Sequence, residues 1–412
     1  MGFAKQRLIE LEERGFGEVP DKYVCANCFA NQGIKNFIKK NAVSHICSYC
    51  GREDKINPIA ASLEDVIGLL VRSIRRLYDD PANFLPWDSE DKRYVGITYS
   101  LDDVLQDIGL ELTLCDKTMS DQLYNDLTTH IYCNLWAERG VLSKSEAYQA
   151  GWTRFTKQVK HYSRYTFALI KYKLDPHDAC NVPLPSQILP LILELINKSQ
   201  LRRVMKKKEV IYRARIVSKG EEVNNCAKDL GPPRNENALF SNRMSPAGIP
   251  MFYGALDRDT ALQEIRAVKY TGKDRGNFSL IKIAKFVLLK DITVVDFSRH
   301  QEYCLFDENI SDIELNIKAF LNHFAREISK PIEKDGREHI EYVPTQIVAE
   351  YLKYKCRSLS SKRKRIKGIL YKSSRGPGVS CALFFRNNHC VDKGDTNKKA
   401  FLKLIDVETI DW

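Results

Sequence analysis

The hydrophobic period of the chain changes at Lys206-Lys207-Lys208, and no single architecture accommodates both sides of that point. Upstream, from about Ser62, apolar residues recur at helical spacing, as in LEDVIGLLVRSIRRLY. Downstream, EVIYRARIV alternates residue by residue, and MFYGA and NFSLIKIAKFVLLKDITVVDF supply further strands. Periods of 3.6 and 2 place side chains on different geometries, so the chain must contain differently built parts. Its 412 residues, 43% of them hydrophobic, suffice for more than one core. No apolar run approaches the roughly 20 residues of a membrane helix, and MGFAKQRLIELEERG lacks the apolar centre of a signal peptide. The expected location is therefore cytoplasmic, with no membrane contact. There, twelve unevenly spaced cysteines read as thiols or metal ligands rather than disulfides. The net charge of +11 favours anions, whether nucleic acid or a phosphorylated small molecule, and does not choose between them.

The most specific local spacing is Cys25-Ala-Asn-Cys28 followed by Cys47-Ser-Tyr-Cys50. Two such thiolate pairs can close a tetrahedron around one zinc ion, and four protein ligands leave no open position for catalysis. The expected zinc is structural, in a ribbon or knuckle. Gly51 fits the turn that directs backbone N–H groups toward the sulfurs. His45 is an alternative ligand, and Lys22, Lys35, Lys39, Lys40 and Arg52 offset the cluster's charge or meet a polyanion.

The helical stretch begins with Ser62 as a cap and acids in the first turn. Further helices are expected in SLDDVLQDIGLEL, SDQLYNDLTTHIYCNLWAERG, Lys144 to Lys171, and LPSQILPLILELINKSQLRRV. Within the third, Arg154 and His161 stand seven residues apart and share a helix face. Their spacing resembles the Arg-x(4–6)-His motif of HEPN domains, with Phe155 where that pattern has a polar residue. The resemblance implies an all-α module that acts as a ribonuclease when two such helices meet in a homodimer. The competing reading makes them a solvated or docking face, with Trp152, Phe155 and Val159 in the core.

In the β-rich part, four polar residues stand in apolar settings: Arg213, Tyr253, Glu264 and Ser373. Burying such groups is costly unless they are used, so their settings suggest a ligand site. DRDTALQEIRAV reads as a helix with an Asp cap, PTQIVAEYLKYK as a helix with proline at its start, and KGILYKSS and SCALFF as late strands. Neither GxGxxG nor GxxxxGK[ST] is present, so neither a Rossmann site nor a P-loop is supported. Asp296 reads as a strand-end residue, and Ser374 and Arg375 as helping to shape the site. From Lys353 to Lys367 there are eight Lys or Arg and no acid, read as a solvated loop or, alternatively, a nucleic-acid contact.

The order Tyr212-Arg213, Arg243-Met-Ser-Pro-Ala-Gly-Ile-Pro-Met-Phe-Tyr253-Gly-Ala, Ala261-Leu-Gln-Glu264 and Ile369-Leu-Tyr-Lys-Ser373-Ser resembles the RES domain, over roughly residues 205 to 390. Lys372 stands where shorter members often have proline. The zinc pair and helical stretch resemble the HEPN/RES N-terminal module. The resemblance implies an ADP-ribosyltransferase-like fold and NAD-degrading toxins held in check by an antitoxin. It makes Arg213 the NAD-binding arginine, Tyr253 the aromatic beside nicotinamide, Glu264 the catalytic acid and Ser373 the conserved-position hydroxyl. Arg243 is a second phosphate contact. These roles are chemically coherent: a guanidinium grips pyrophosphate, a ring stacks on cationic nicotinamide, and a carboxylate supports an oxocarbenium-like centre.

The expected class is multi-domain, α and α/β (α+β). A zinc module is expected over residues 1–57, a HEPN-like helical bundle over 58–204, and an ADP-ribosyltransferase-like RES domain with a tail over 205–412. The expected function is cleavage of the nicotinamide–ribose bond of NAD, as a glycohydrolase, a phosphorylase or an ADP-ribosyltransferase acting on a protein, by a bacterial toxin or defence effector whose N-terminal parts regulate it. The alternatives are a ribonuclease using Arg154 and His161, and a zinc-containing nucleic-acid adaptor.

Overall fold

The computed structural model describes residues 10–11, 13–114, 116–139, 144–172, 182–266, 278–301, 303–332, 336–355, 365–395 and 397–412. Most of the basic run, positions 356–364, and the first nine residues lie outside them. The chain is mixed α/β and divides into two compact units: Met1–Lys144 with Glu302–Asn316, and Ser145–Gln301 with Ile317–Trp412.

In the first unit, β1 (Tyr23–Cys25) pairs antiparallel with β2 (Ala60–Ser62), and α1 (Gln32–Lys40) and α2 (Leu63–Ile74) pack around them. Ser62 caps α2 as expected: its hydroxyl accepts from the Asp65 N–H at 3.1 Å. Short strands β3 (Tyr78–Asp79), β4 (Tyr99–Ser100) and β5 (Leu135–Glu138) form a small sheet in the order β3-β5-β4. The helices α3 (Leu101–Asp107) and α4 (Lys117–Thr128) are shorter than their sequence windows. The helix expected to run through Glu138 stops at Thr128 because Leu135-Trp136-Ala137-Glu138 pairs as β5, with Trp136 and Ala137 buried and its ends exposed. The later segment Glu302–Asn316 is tied to α2 and its end by Arg76, which bonds the carbonyls of Leu305, Asp307 and Ile310 and the Asp312 carboxylate, and by the Arg72–Glu308 ion pair.

The second unit is built on one nine-stranded sheet. Its strands are β6 (Arg202–Met205), β7 (Val210–Ser218), β8 (Phe252–Ala255), β9 (Phe278–Leu288), β10 (Ile292–Asp296), β11 (Ile366–Lys372), β12 (Val379–Leu383), β13 (Cys390–Val391) and β14 (Leu402–Asp411). They lie in the order β13-β14-β9-β7-β8-β12-β11-β10-β6. One face is covered by α5 (Lys144–His161), α6 (Pro185–Lys198), α8 (Asp312–Ser329) and α9 (Val343–Lys355); α7 (Arg258–Arg266) follows β8. Trp152, Phe155 and Val159 of α5, Ile188 and Ile192 of α6, Phe320 and Phe324 of α8, and Val348 and Leu352 of α9 share a core with Val295, Ile369 and Ala382 of the sheet. The other face buries Phe252, Phe286, Cys381, Leu383, Phe385 and Leu402.

Around residue 204, β6 pairs with β10, and α5 and α6 share a core with α8 and α9. Helical periodicity reveals an apolar face but not what covers it. Among the described residues, no helix is long and apolar enough to cross a membrane.

Candidate active site

The hairpin β11–β12 and helix α7 meet at Glu264. Asp257 starts the helix, its carboxylate accepting from the Thr260 N–H at 2.7 Å. One helix face then carries Thr260, Gln263 and Glu264 toward the hairpin tip. Glu264 Oε1 accepts two hydroxyl hydrogen bonds, from Ser373 at 2.5 Å and from Ser380 at 2.9 Å. Its Oε2 accepts none among the described residues. The tip is folded back on itself: the Ser373 N–H donates to the Gly378 carbonyl at 2.9 Å, and the Arg375 N–H to Ser373 Oγ at 3.1 Å. It also lies hard against the helix. A Cβ on Gly376 would come within 1.9 Å of Gln263 Oε1, and one on Gly378 within 1.8 Å of Thr260 Oγ1.

Aromatic groups line the same face. Tyr371 stands opposite Ser380 in the β11–β12 register. Burial and the nearby Glu264 push its phenol well above the usual range. The Tyr253 hydroxyl bonds Ser245 at 2.8 Å and accepts from the Met244 N–H at 3.3 Å, and burial pushes it up to about 12. The segment presenting Ser245 is fixed by α9: Gln346 donates to the Asn242 carbonyl at 2.9 Å and the Ser245 carbonyl at 3.2 Å, and Thr345 to the Arg243 carbonyl. Arg243 itself donates to the Ile328 carbonyl at 2.8 Å and lies 5.7 Å from the Tyr342 ring centroid. Tyr342, raised by burial, feels Arg243, Arg375 and Glu264 together. The carboxylate, two arginines and three phenols thus share one locality.

Arg213 is placed differently. Tyr212 pairs with Ala255, so Tyr212, Ala255 and Tyr253 share one face, and Arg213 takes the face of Phe252. Its guanidinium lies 5.6 Å from the Phe252 ring centroid, among the thiols of Cys381 and Cys390. Among the described residues, Tyr212–Ala255 is the only residue pair joining β7 to β8. Beside it, Arg213 Nη1 donates to the Tyr253 carbonyl at 2.7 Å and so supplies a link the ladder lacks. Burial pushes the guanidinium down to about 10, which leaves it charged near neutrality, and its buried Nε has no hydrogen-bond partner among the described residues. The structure therefore brings Tyr253, Glu264, Ser373, Arg243 and Arg375 together, with Arg213 on the reverse of the same sheet region. Sequence reasoning did not single out Ser380, Tyr342 or Tyr371. Ser380 was detectable as the polar member of an otherwise apolar strand, two residues from Ala382 on one face.

In the first unit, Cys25, Cys28, Cys47 and Cys50 converge, their sulfur atoms all within 4.8 Å of one another. Neighbouring Sγ–Sγ distances are 3.8, 3.5 and 3.7 Å. Four thiolates at the usual bond length of roughly 2.3 Å around a tetrahedral zinc stand about 3.8 Å apart, so the donor set fits a metal ion. The Cys25 N–H donates to Cys47 Sγ at 3.4 Å, and Gly51, at φ +64°, closes the turn with its N–H on the Cys47 carbonyl. His45 is outside the cluster, its Nδ1 bonded to the Asp54 carbonyl at 2.8 Å. On α5, Arg154 is half-buried and His161 exposed, both off the stripe of Trp152, Phe155 and Val159.

The fold and these two sites define a two-unit α/β protein with a tetracysteine cluster and a hydroxyl-supported carboxylate at a sheet hairpin. Family comparison names its parts: residues 212–401 match the RES domain, and residues 40–173 match HEPN/RES N-terminal domain 1. The chain thus carries a RES domain preceded by a HEPN/RES N-terminal domain. No curated protein and no solved structure matches it.

Proposed function

We propose that the RES domain cleaves the nicotinamide–ribose bond of NAD. The observation that carries this reading is the Glu264 carboxylate, with Oε1 held by two serine hydroxyls and Oε2 left to accept, on a face rich in phenols and flanked by Arg243 and Arg375. In the reaction, the bonding pair of the C1′–N bond leaves with nicotinamide, positive charge develops at C1′, and an oxygen of water, which then loses a proton, or of phosphate bonds to C1′. A fixed carboxylate stabilises that charge and accepts the ribose 2′-OH; fixed charges of this kind act strongly where water is excluded. Ser373 and Ser380 orient the carboxylate, and Tyr253 offers a ring whose hydroxyl is already held by Ser245. Arg243 and Arg375, whose charges reach Tyr342 together with that of Glu264, are guanidinium groups suited to the pyrophosphate. Arg213, with an unspent donor, remains the arginine that the RES pattern assigns to NAD, and its bond to the Tyr253 main chain sets that ring's strand.

Zinc is the proposed occupant of the tetracysteine cluster, in a structural role. A cytoplasmic toxin or defence role, with an antitoxin as partner and a dimer through the helical part, is the biological setting that the domain pair favours. The direct test is chromatography of NAD incubated with the purified protein, with and without phosphate. Nicotinamide is expected, together with ADP-ribose or, for a phosphorolytic enzyme, a phosphorylated product. No release of nicotinamide, or equal release by Glu264→Gln, overturns the reading.

A further inference from the structure

A second concentration of charge lies at the other end of the β11–β12 hairpin. There a cavity of about 300 Å³ is bounded by Lys353, Tyr354, Arg365, Lys367, Arg386 and His389. Its apolar wall is Phe384, Phe385 and Phe401, the last two stacked at 4.6 Å between centroids. Lys290 and Lys367 lie 4.2 and 4.9 Å from the Phe401 centroid. Lys367 and Ser373 are separated along β11 by six residues, which at about 3.3 Å each puts this cavity about 20 Å from the Glu264 site.

The charges here are uncompensated. Among the described residues, none of Lys290, Lys353, Arg365, Lys367 and Arg386 forms an ion pair with a carboxylate, and all but Arg386 are partly buried. Burial holds the His389 imidazole below the usual range, and the cationic Lys367, Arg386, Lys290 and Lys353 push it the same way. Lys367 is likewise lowered by burial, Arg365 and Lys290. Half-burying several like charges without an opposite one is costly, and a bound anion removes that cost. The Arg386 N–H donates to His389 Nδ1 at 3.1 Å, so the neutral ring carries its proton on Nε2 as a further donor. Tyr354, 54% exposed, offers a ring with Lys353 Nζ 5.2 Å from its centroid.

We infer that this cavity binds a nucleoside phosphate: Lys353, Arg365, Lys367, Arg386 and His389 hold the phosphate oxygens, and Tyr354 stacks on the base. The volume sits at the small end of small-molecule sites, which favours one nucleotide over a strand. This site is independent of the NAD reading, since no residue of the Glu264 locality lines it.

The test is calorimetric titration of the full-length protein with ADP and with pyrophosphate. Lys367→Gln combined with Arg386→Gln is expected to weaken both at least tenfold, and Lys367→Arg to keep them. Tyr354→Ala is expected to weaken ADP several-fold and leave pyrophosphate unchanged. Glu264→Gln is expected to leave ADP binding intact, which separates failure here from failure at the carboxylate. Unchanged binding in the double variant overturns the inference. So does tighter binding of single-stranded RNA than of ADP, with a steep salt dependence, because the surface then serves a polyanion.

Discussion

Ser373 Oγ donates a 2.5 Å hydrogen bond to Glu264 Oε1, joining a hairpin tip to a helix 109 positions earlier in the chain. The bond makes the carboxylate a fixed object, since a second hydroxyl, from Ser380, approaches the same oxygen. Removing the acid while keeping its shape should expose its chemical role. Glu264→Gln is expected to slow nicotinamide release by roughly 100- to 1,000-fold, as when one charge-stabilising group is lost, with little change in thermal midpoint. Product chromatography and a melting curve on the same sample check both parts.

The two serines are expected to act as one support. Ser373→Ala or Ser380→Ala alone leaves one hydroxyl on Oε1 and should cost about tenfold in kcat, corresponding to about 1.4 kcal/mol. The double variant should lose more than the product of the single effects, because the carboxylate then has no fixed donor on that oxygen. KM for NAD should move less than kcat.

Arg213 predicts a different signature. Arg213→Met leaves the Tyr253 carbonyl without this donor beside the Tyr212–Ala255 pair that joins β7 to β8. An unsatisfied acceptor of this kind costs on the order of 1–3 kcal/mol, so urea unfolding should shift to lower midpoint. If stability is unchanged while KM for NAD rises, the residue serves the ligand alone and the structural account of it fails.

Alkaline stability follows from the buried phenols. Tyr253 is raised from 10.0 to about 12, so the folded state keeps its proton where the unfolded chain has lost it. Below pH 10 the stabilisation is fully present, and it is lost as pH rises from 10 to 12; the full effect is on the order of 2–3 kcal/mol. Unfolding free energies measured from pH 9 to 12 should fall, and Tyr253→Phe should make the fall shallower. An identical slope in the variant would exclude Tyr253 as a source.

For the tetracysteine cluster, metal analysis is expected to find one zinc per chain. A strong chelator should lower the thermal midpoint, as expected where metal binding is coupled to folding. Cys28→Ser, which removes a fully buried ligand, should abolish zinc retention, whereas His45→Ala should not. Zinc release read by a metallochromic dye distinguishes the two.

Much of this was readable in advance where chemistry fixes spacing. The four cysteines announce their convergence because a metal accepts few ligand geometries, and Ser62 and Asp257 announce helix starts because orphan N–H groups need acceptors. Glu264 and Ser373 stood out as polar residues in apolar settings, and they do meet. What the residues could not convey was which faces meet. The side of the sheet taken by Arg213 is set by register, Arg213 standing opposite Ala284 of β9 and Tyr212 opposite Ala255 of β8, and a shift of one residue would reverse it. In the same way, the stripe Trp152, Phe155, Val159 is plain in the sequence, but its partners Phe320, Phe324 and Leu352 lie far along the chain.

The contact between the hairpin tip and α7 also limits how this site can diversify. Gly378 has no room for a side chain against Thr260 and Asp257, a side chain at Gly376 must displace the Gln263 amide, and Ser373 is committed to Glu264. Within the tip, only Lys372, Arg375 and Pro377 are exposed. Lineages or engineers seeking a new ligand preference at the carboxylate therefore have three readily adjustable positions there, Lys372, Arg375 and Pro377.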